Sequence, residues 1–305
     1  MSGTGVRLGA LVLPEHSGRT GAQVWRRVEE LGFAHVWTLD HLSWRSLRDR
    51  PWFDAMITIA TAACVTTTPA LGVLVTTPNF RHPVLTARQA MSLDQSSEGR
   101  FVLGVGAGSG GPDSSALGEA EPSPAVRAAR FGEFVTLVDR LLRDPVTTVA
   151  GTHFTAQDVR MIPGCLQRPR VPLAIAAAGP QGMRLAAEFG DFWVTIGDAR
   201  APGGQGEDSA FRTLRRQVDR LAQACDAVGR PVGSLRKLVN LSRVAPDPYG
   251  SPERLADLTG RCAALGFTDI VVAYPRGEGV FAGDLREFED AVTHVVGSSD
   301  REGTY

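Results

Sequence analysis

Phe33-Ala34-His35-Val36-Trp37-Thr38-Leu39-Asp40-His41 is a short apolar run that ends in two ionisable side chains. A run of this length reads as a buried strand of a parallel sheet opening into a loop. Successive side chains of a strand point to opposite faces, so Asp40 and His41 take different jobs: one faces a ligand and the other holds the loop. Outward from this stretch the same pattern recurs. Apolar runs at 7–13, 33–39, 70–75, 101–105, 173–177, 192–196, 238–244 and 269–273 alternate with segments of helical period at 21–31, 54–63, 83–96, 123–142, 182–189, 209–228, 252–265 and 285–294. Repeated βα units build a parallel sheet. Eight of them in order favour a closed (β/α)8 TIM barrel with insertions over a doubly wound sheet. The first βα turn, Pro14-Glu15-His16-Ser17-Gly18, also lacks the GxGxxG of a dinucleotide fold.

With 305 residues, 43% of them hydrophobic, the chain can bury one large core, so we expect a single domain over residues 1–305. Two segments stand apart from the alternation. Residues 146–170, rich in β-branched residues and proline, predict a β-hairpin insertion, and the glycine-rich stretch around 197–208 predicts a mobile loop near the barrel mouth. Charge is nearly balanced, 32 Lys and Arg against 33 Asp and Glu, which leaves no electrostatic footprint for nucleic acid. Lys237 is the only lysine, an Arg bias that with abundant Ala and Gly reads as a high-GC bacterial genome. Cys64, Cys165, Cys225 and Cys262 form no CxxC or Cys/His cluster, so we expect reduced thiols and no metal site. No stretch reaches the length of a membrane span and no basic leader opens the chain, so the expected location is the cytoplasm.

In a barrel of this kind function sits on the loops after the strands. After the third strand, Thr76-Thr77-Pro78-Asn79-Phe80 offers hydroxyl groups on a rigid turn to a flat heterocycle. After the fourth, Gly104-Val105-Gly106-Ala107-Gly108-Ser109-Gly110-Gly111 lets backbone amides converge on a phosphate. After the fifth, Ala177-Ala178-Gly179-Pro180 leads into a helix whose N-terminus suits the same anion. Aromatic residues fall at the same mouth by sequence position: Trp37, Trp44, Trp52, Phe53, Phe80 and Trp193. Trp44, Phe80 and Trp193 are the candidates for an apolar substrate pocket, while Trp52 and Phe53 can equally pack the following helix.

With these motifs in view, the chain resembles the luciferase-like monooxygenase superfamily, and more closely its deazaflavin (coenzyme F420) dependent oxidoreductase branch. The resemblance rests on Trp37-Thr38-Leu39-Asp40-His41, Leu71-Gly72-Val73-Leu74-Val75-Thr76-Thr77-Pro78, Gly104-Val105-Gly106-Ala107-Gly108, Ala174-Ile175-Ala176-Ala177-Ala178-Gly179-Pro180 and Gly190-Asp191-Phe192-Trp193. It implies a cofactor ring at the C-terminal mouth, over a non-proline cis peptide at Leu74-Val75. Asp40 and Thr77 would contact the cofactor, whose phosphate would lie on Gly106-Ala107-Gly108 and Ala177-Ala178-Gly179. His41 would act as acid or base beside the ring, since imidazole can pass a proton near neutrality.

The branch's sugar-phosphate dehydrogenases carry Glu where this chain has Ser109, which points to an apolar organic substrate instead. The resemblance also implies two alternatives, an FMN-dependent monooxygenase served by a separate reductase and a non-catalytic flavin-binding protein, and it allows a homodimer.

Overall fold

The computed structural model describes residues 5–42, 44–109, 111–198 and 206–300. The elements run β1 (Arg7–Leu11), α1 (Gly18–Glu30), β2 (His35–Thr38), α2 (Ala55–Val65), β3 (Ala70–Thr76), α3 (Pro83–Ser96), β4 (Phe101–Gly106), α4 (Pro112–Ser115), α5 (Pro124–Arg143), β5 (Val146–Ala150), β6 (Thr155–Arg160), β7 (Leu173–Ala176), α6 (Pro180–Phe189), β8 (Phe192–Thr195), α7 (Glu207–Ala227), β9 (Arg236–Asn240), α8 (Pro252–Ala264), β10 (Asp269–Ala273) and α9 (Leu285–Asp300). Eight parallel strands close in the order β1-β10-β9-β8-β7-β4-β3-β2, the TIM barrel that the alternation predicts. Strands β5 and β6 form a separate antiparallel pair at the position expected for a hairpin. Most of the glycine-rich stretch around 197–208 lies outside the described residues.

Local chemistry sets many boundaries. The Asp54 side chain accepts from the backbone N–H groups of Met56 and Ile57 and starts α2, and Pro83, Pro124, Pro180 and Pro252 stand in the first turns of their helices. Two short elements escape the sequence pattern. The apolar run 238–244 is only half strand: β9 stops at Asn240 and the backbone turns as a 3₁₀ helix over Leu241–Arg243. The loop after β4 contains α4, four residues long.

Strand side chains divide by the period of two. One set, with Val36, Val73, Leu103, Val105, Ile175, Val239 and Val272, packs against the helices. The other, with Leu11, Trp37, Leu74, Val102, Ala174, Val194, Leu238 and Val271, fills the barrel.

The bottom of the barrel is sealed by charge. Trp37 Nε1 donates to His35 Nδ1 at 2.7 Å, so the imidazole presents Nε2 to Asp269, 3.2 Å away. Arg236 holds both Asp269 oxygens and lies with its guanidinium 3.9 Å from the centre of the Phe192 ring. A side chain at position 9 would overlap the His35 ring, which is why β1 carries Gly9 there.

Burial drives the His35 imidazole well below its usual value and keeps it neutral. Burial alone would raise the Asp269 carboxyl, but hydrogen bonds from His35 and Arg236 overcome it and hold the group far below the usual carboxylate range. Asp269→Asn is therefore expected to lower unfolding stability by about 3 kcal/mol, measured by urea denaturation at neutral pH. Because the folded value is the depressed one, this contribution is complete above about pH 4, where an unfolded Asp is ionised. The gap between wild type and variant should narrow as the pH falls further.

Candidate active site

A cavity of about 570 Å³ opens at the C-terminal end of the barrel. Its floor and walls come from inward-facing strand ends: Leu11, Leu39, Leu74, Ala176 and Val194. His41 continues the inward series of His35, Trp37 and Leu39, and lines the cavity. Asp40 points the other way. It is 1% exposed, and Arg81 grips it through Nε to Oδ2 at 3.0 Å and Nη2 to Oδ1 at 2.6 Å. Arg81 Nη2 also reaches Asp54 Oδ2 at 2.8 Å, so one guanidinium ties the loop after β2 to the cap of α2 and to the loop after β3. Burial works against the Arg81 charge, yet the hydrogen bonds it donates to Asp40 and Asp54 outweigh this and raise its pKa.

Strand β3 bulges at the mouth, its pairing with β4 shifting register between Val73 and Thr76, with the Leu74-Val75 peptide cis as the resemblance implies. The bulge turns both Leu74 and Val75 toward the cavity. Room for it comes from β4. A Cβ at Gly104 would land on the Val73 carbonyl oxygen, one at Gly106 would meet Val75 Cγ2 at 2.7 Å, and one at Gly108 would overlap Thr77 Oγ1 and Asn79 Nδ2. Gly108 also has a φ of +73°, in the left-handed region. The glycines read from the sequence as a phosphate cradle are thus first required by packing against β3. Asn79 Nδ2 donates to the Ser109 carbonyl at 2.9 Å and stitches the two loops together.

The cavity collects His41, Trp44, Leu74, Val75, Thr77, Gly106, Ala107, Gly108, Ala177 and Ala178 from the residues that the sequence singles out. It does not collect the rest. Asp40 faces outward to Arg81, and Thr76 is buried on the outer face of β3. Gly179 and Pro180 lie beyond the lining, at the start of α6. Phe80 sits beneath the Arg81 guanidinium, 5.1 Å from it. Trp193 is wholly buried in the outer layer, where it stacks on Phe267 and donates to the Ala177 carbonyl at 2.8 Å. Its place in the strand fixes this, because Phe192 and Val194 take the inward positions of β8. Trp37 is likewise deep in the barrel, bonded to His35.

Four residues that sequence reasoning passed over complete the site. Asp113 on α4 stands 2.6 Å from His41 Nδ1 through Oδ2 and accepts the Leu42 N–H through Oδ1 at 2.8 Å. Its signal was present, since Gly111-Pro112-Asp113 is a helix start with an acidic first turn. Asn240 ends β9 on the inward side, and Arg243 follows on the 3₁₀ turn. Phe281 comes from the loop after β10 with a φ of +59° and stacks on Trp44, which stacks in turn on Trp52. Trp52 Nε1 donates to the His41 carbonyl at 2.7 Å, so this aromatic wall and the histidine are one unit. Among the described residues no cluster of His, Cys, Asp or Glu could hold a metal ion.

Comparisons with known proteins agree with this architecture. The luciferase-like monooxygenase family profile matches residues 6–247. A 4-hydroxyprotoasukamycin monooxygenase of Streptomyces nodosus subsp. asukaensis is 33% identical over 72% of this chain and 60% of its own length. An F420-dependent glucose-6-phosphate dehydrogenase of Beutenbergia cavernae is 31% identical over 79% of this chain and 67% of its own length. The chain thus spans about two thirds or less of these two relatives. Among solved structures, an F420-dependent secondary alcohol dehydrogenase in complex with an F420-acetone adduct superposes with a TM-score of 0.79 over 96% of this chain and 99% of the other, at 18% identity.

Packing makes a direct prediction. Gly104→Ala is expected to lower stability by about 1–3 kcal/mol, since its methyl group meets backbone that cannot swing aside. Gly179→Ala, with nothing within 4 Å of the new Cβ, should stay within about 0.5 kcal/mol of wild type in the same thermal denaturation.

Proposed function

This chain belongs to the luciferase-like monooxygenase family, and we propose that it is an oxidoreductase using coenzyme F420 to exchange a hydride with an apolar organic substrate. The observation that carries this reading is the His41–Asp113 pair on the wall of a largely apolar cavity. Relatives named as F420-dependent dehydrogenases support the choice of cofactor.

The residues present fit such a group. Leu74 and Val75 on the bulge give a flat apolar surface for a tricyclic ring, and Thr77 supplies a hydroxyl beside it. The N-terminus of α6 has no side-chain cap, which leaves its dipole and first-turn amides available to a phosphate beside Ala177 and Ala178. Asp40, by contrast, acts through Arg81 in holding the loop, and not by touching the cofactor. When bound, coenzyme F420 supplies a two-electron carrier that accepts or donates hydride.

The protein's own contribution is the proton. The Asp113 carboxylate accepts the Leu42 N–H on one oxygen and faces His41 Nδ1 with the other, which places the imidazole proton on Nδ1. Nε2 is then the basic nitrogen, and it takes the hydroxyl proton as an alcohol carbon loses hydride, or returns it in the reverse direction. Asp113 holds the ring in this tautomer and balances the imidazolium that forms. Trp44 and Phe281 give the same space an aromatic, apolar wall. Four cysteines without a disulfide fit a reducing cytoplasm.

A second reading, an FMN-dependent monooxygenase with a separate reductase, draws on the monooxygenase relative. Titration with coenzyme F420 and with FMN, followed by ring fluorescence, separates the two. Micromolar binding of F420 is expected, and binding of FMN alone would overturn the proposal.

Replacing His41 with Ala should lower kcat by about 10²- to 10⁴-fold with little change in F420 affinity. Asp113→Asn should lower kcat as well, with little change in F420 affinity. An unchanged kcat would remove Asp113 from the proton path.

A further inference from the structure

Phe281 holds a backbone conformation that bulky side chains rarely adopt, with a φ of +59° in the left-handed region. Strain of this kind persists only where the surroundings over-determine it. Here Arg276 supplies those surroundings. Its guanidinium bonds both Glu15 oxygens, Nε to Oε1 and Nη2 to Oε2, each at 2.7 Å, and so ties the loop after β10 to the loop after β1. Nη1 donates back to the carbonyls of Glu278 at 2.7 Å and Val280 at 3.2 Å. The Arg276 backbone N–H donates to the Phe281 carbonyl at 2.9 Å, and the Arg276 carbonyl accepts from the Gly283 N–H at 3.1 Å. Both partners of the ion pair are mostly buried, at 13% and 15% exposed, which protects it from the screening that weakens the exposed Arg50–Glu278 pair on the same loop.

The clamp has a consequence in the cavity. Phe281 is held against Trp44, ring centres 6.1 Å apart, with the rest of its surface lining the cavity. Strand β10 is three strands from β3 around the ring, so Phe281 stands on the side of the cavity away from the Leu74-Val75 bulge. We propose that Arg276 is a positioning residue that acts through Phe281, holding its ring as the wall that limits how bulky a substrate the cavity accepts. The preferred substrate class is then a compact secondary alcohol or its ketone, with no large group opposite the reacting carbon. This inference rests on the reading that the reacting carbon lies between the F420 site and His41. Neither Arg276 nor Phe281 takes part in proton transfer.

The test compares cyclohexanol with trans-4-phenylcyclohexanol on F420-loaded wild type, Phe281→Ala, Arg276→Lys and the double variant. Lysine keeps a charge opposite Glu15 but lacks the fork. Turnover and ligand-induced thermal shift are both read. Wild type should favour cyclohexanol. Phe281→Ala opens a hole of phenyl size, so the ratio of kcat/KM should move toward the phenyl-bearing alcohol by at least about tenfold, mainly through KM. Arg276→Lys should move it the same way, with F420 affinity kept in every variant. Because Arg276 acts through Phe281, the double variant should match Phe281→Ala alone. In the protein without F420, amide hydrogen exchange over 276–283 should quicken in Arg276→Lys. Should that variant fail to fold, Glu15→Gln, which keeps one bond of the fork, takes its place.

An unmoved ratio in either single variant overturns the inference, as does a double variant whose shift is the sum of the two. A wild type that does not favour cyclohexanol, or responds to neither alcohol, overturns it too. Failure of wild type to bind F420 is a separate result, and it strikes the proposed function instead.

Discussion

The absence of a side chain at Gly104 and Gly106 of β4 is the constraint on which the mouth of this barrel depends. Val73 presents its carbonyl where a Cβ of residue 104 would be, and Val75 leans into the place of a Cβ at residue 106. Only glycine admits both approaches, and only that close approach lets β3 bulge and turn Leu74 and Val75 toward the cavity. Without the bulge, strict alternation would send one of these two side chains into the helix layer. The flat apolar surface is thus made by one strand and permitted by its neighbour.

A second division of labour runs through Asp40 and His41. Adjacent in the chain, they face opposite sides of the barrel wall, and each finds a partner from a distant loop. Arg81 bonds Asp40 and Asp54 together behind the wall. In front of it, Asp113 and Trp52 hold the ring and the backbone of His41. Residues that touch no ligand therefore fix the one histidine placed to move a proton. This agrees with the general need for a rigid shell behind a reacting side chain.

Charge is used differently at the two ends of the barrel. At the bottom, Asp269 is fully buried and answered by His35 and Arg236, so the polar groups there close the structure. At the top, His41 and Asp113 stay partly open to the cavity. The polar groups at the bottom are closed off from solvent, and the His41–Asp113 pair at the top stays within reach of a ligand.

The chain by itself determined the eightfold alternation, the apolar faces of its strands and helices, and the opposite facing of Asp40 and His41. All of these follow from local propensities and a period of two or 3.6, which act over a few residues. It also showed that the β4 glycines matter, although their first reason, contact with the β3 backbone, depends on a neighbour some thirty residues away. Tertiary structure alone decided which aromatic residues face the cavity, placing Trp44 there with Phe281 and sending Trp193 to the outer layer. It alone brought Asp113 to His41 across 72 positions, turned Asp40 toward Arg81, and ended β9 at Asn240 partway through the stretch 238–244. Those outcomes depend on barrel closure and on the direction of each loop, which no short window of sequence encodes.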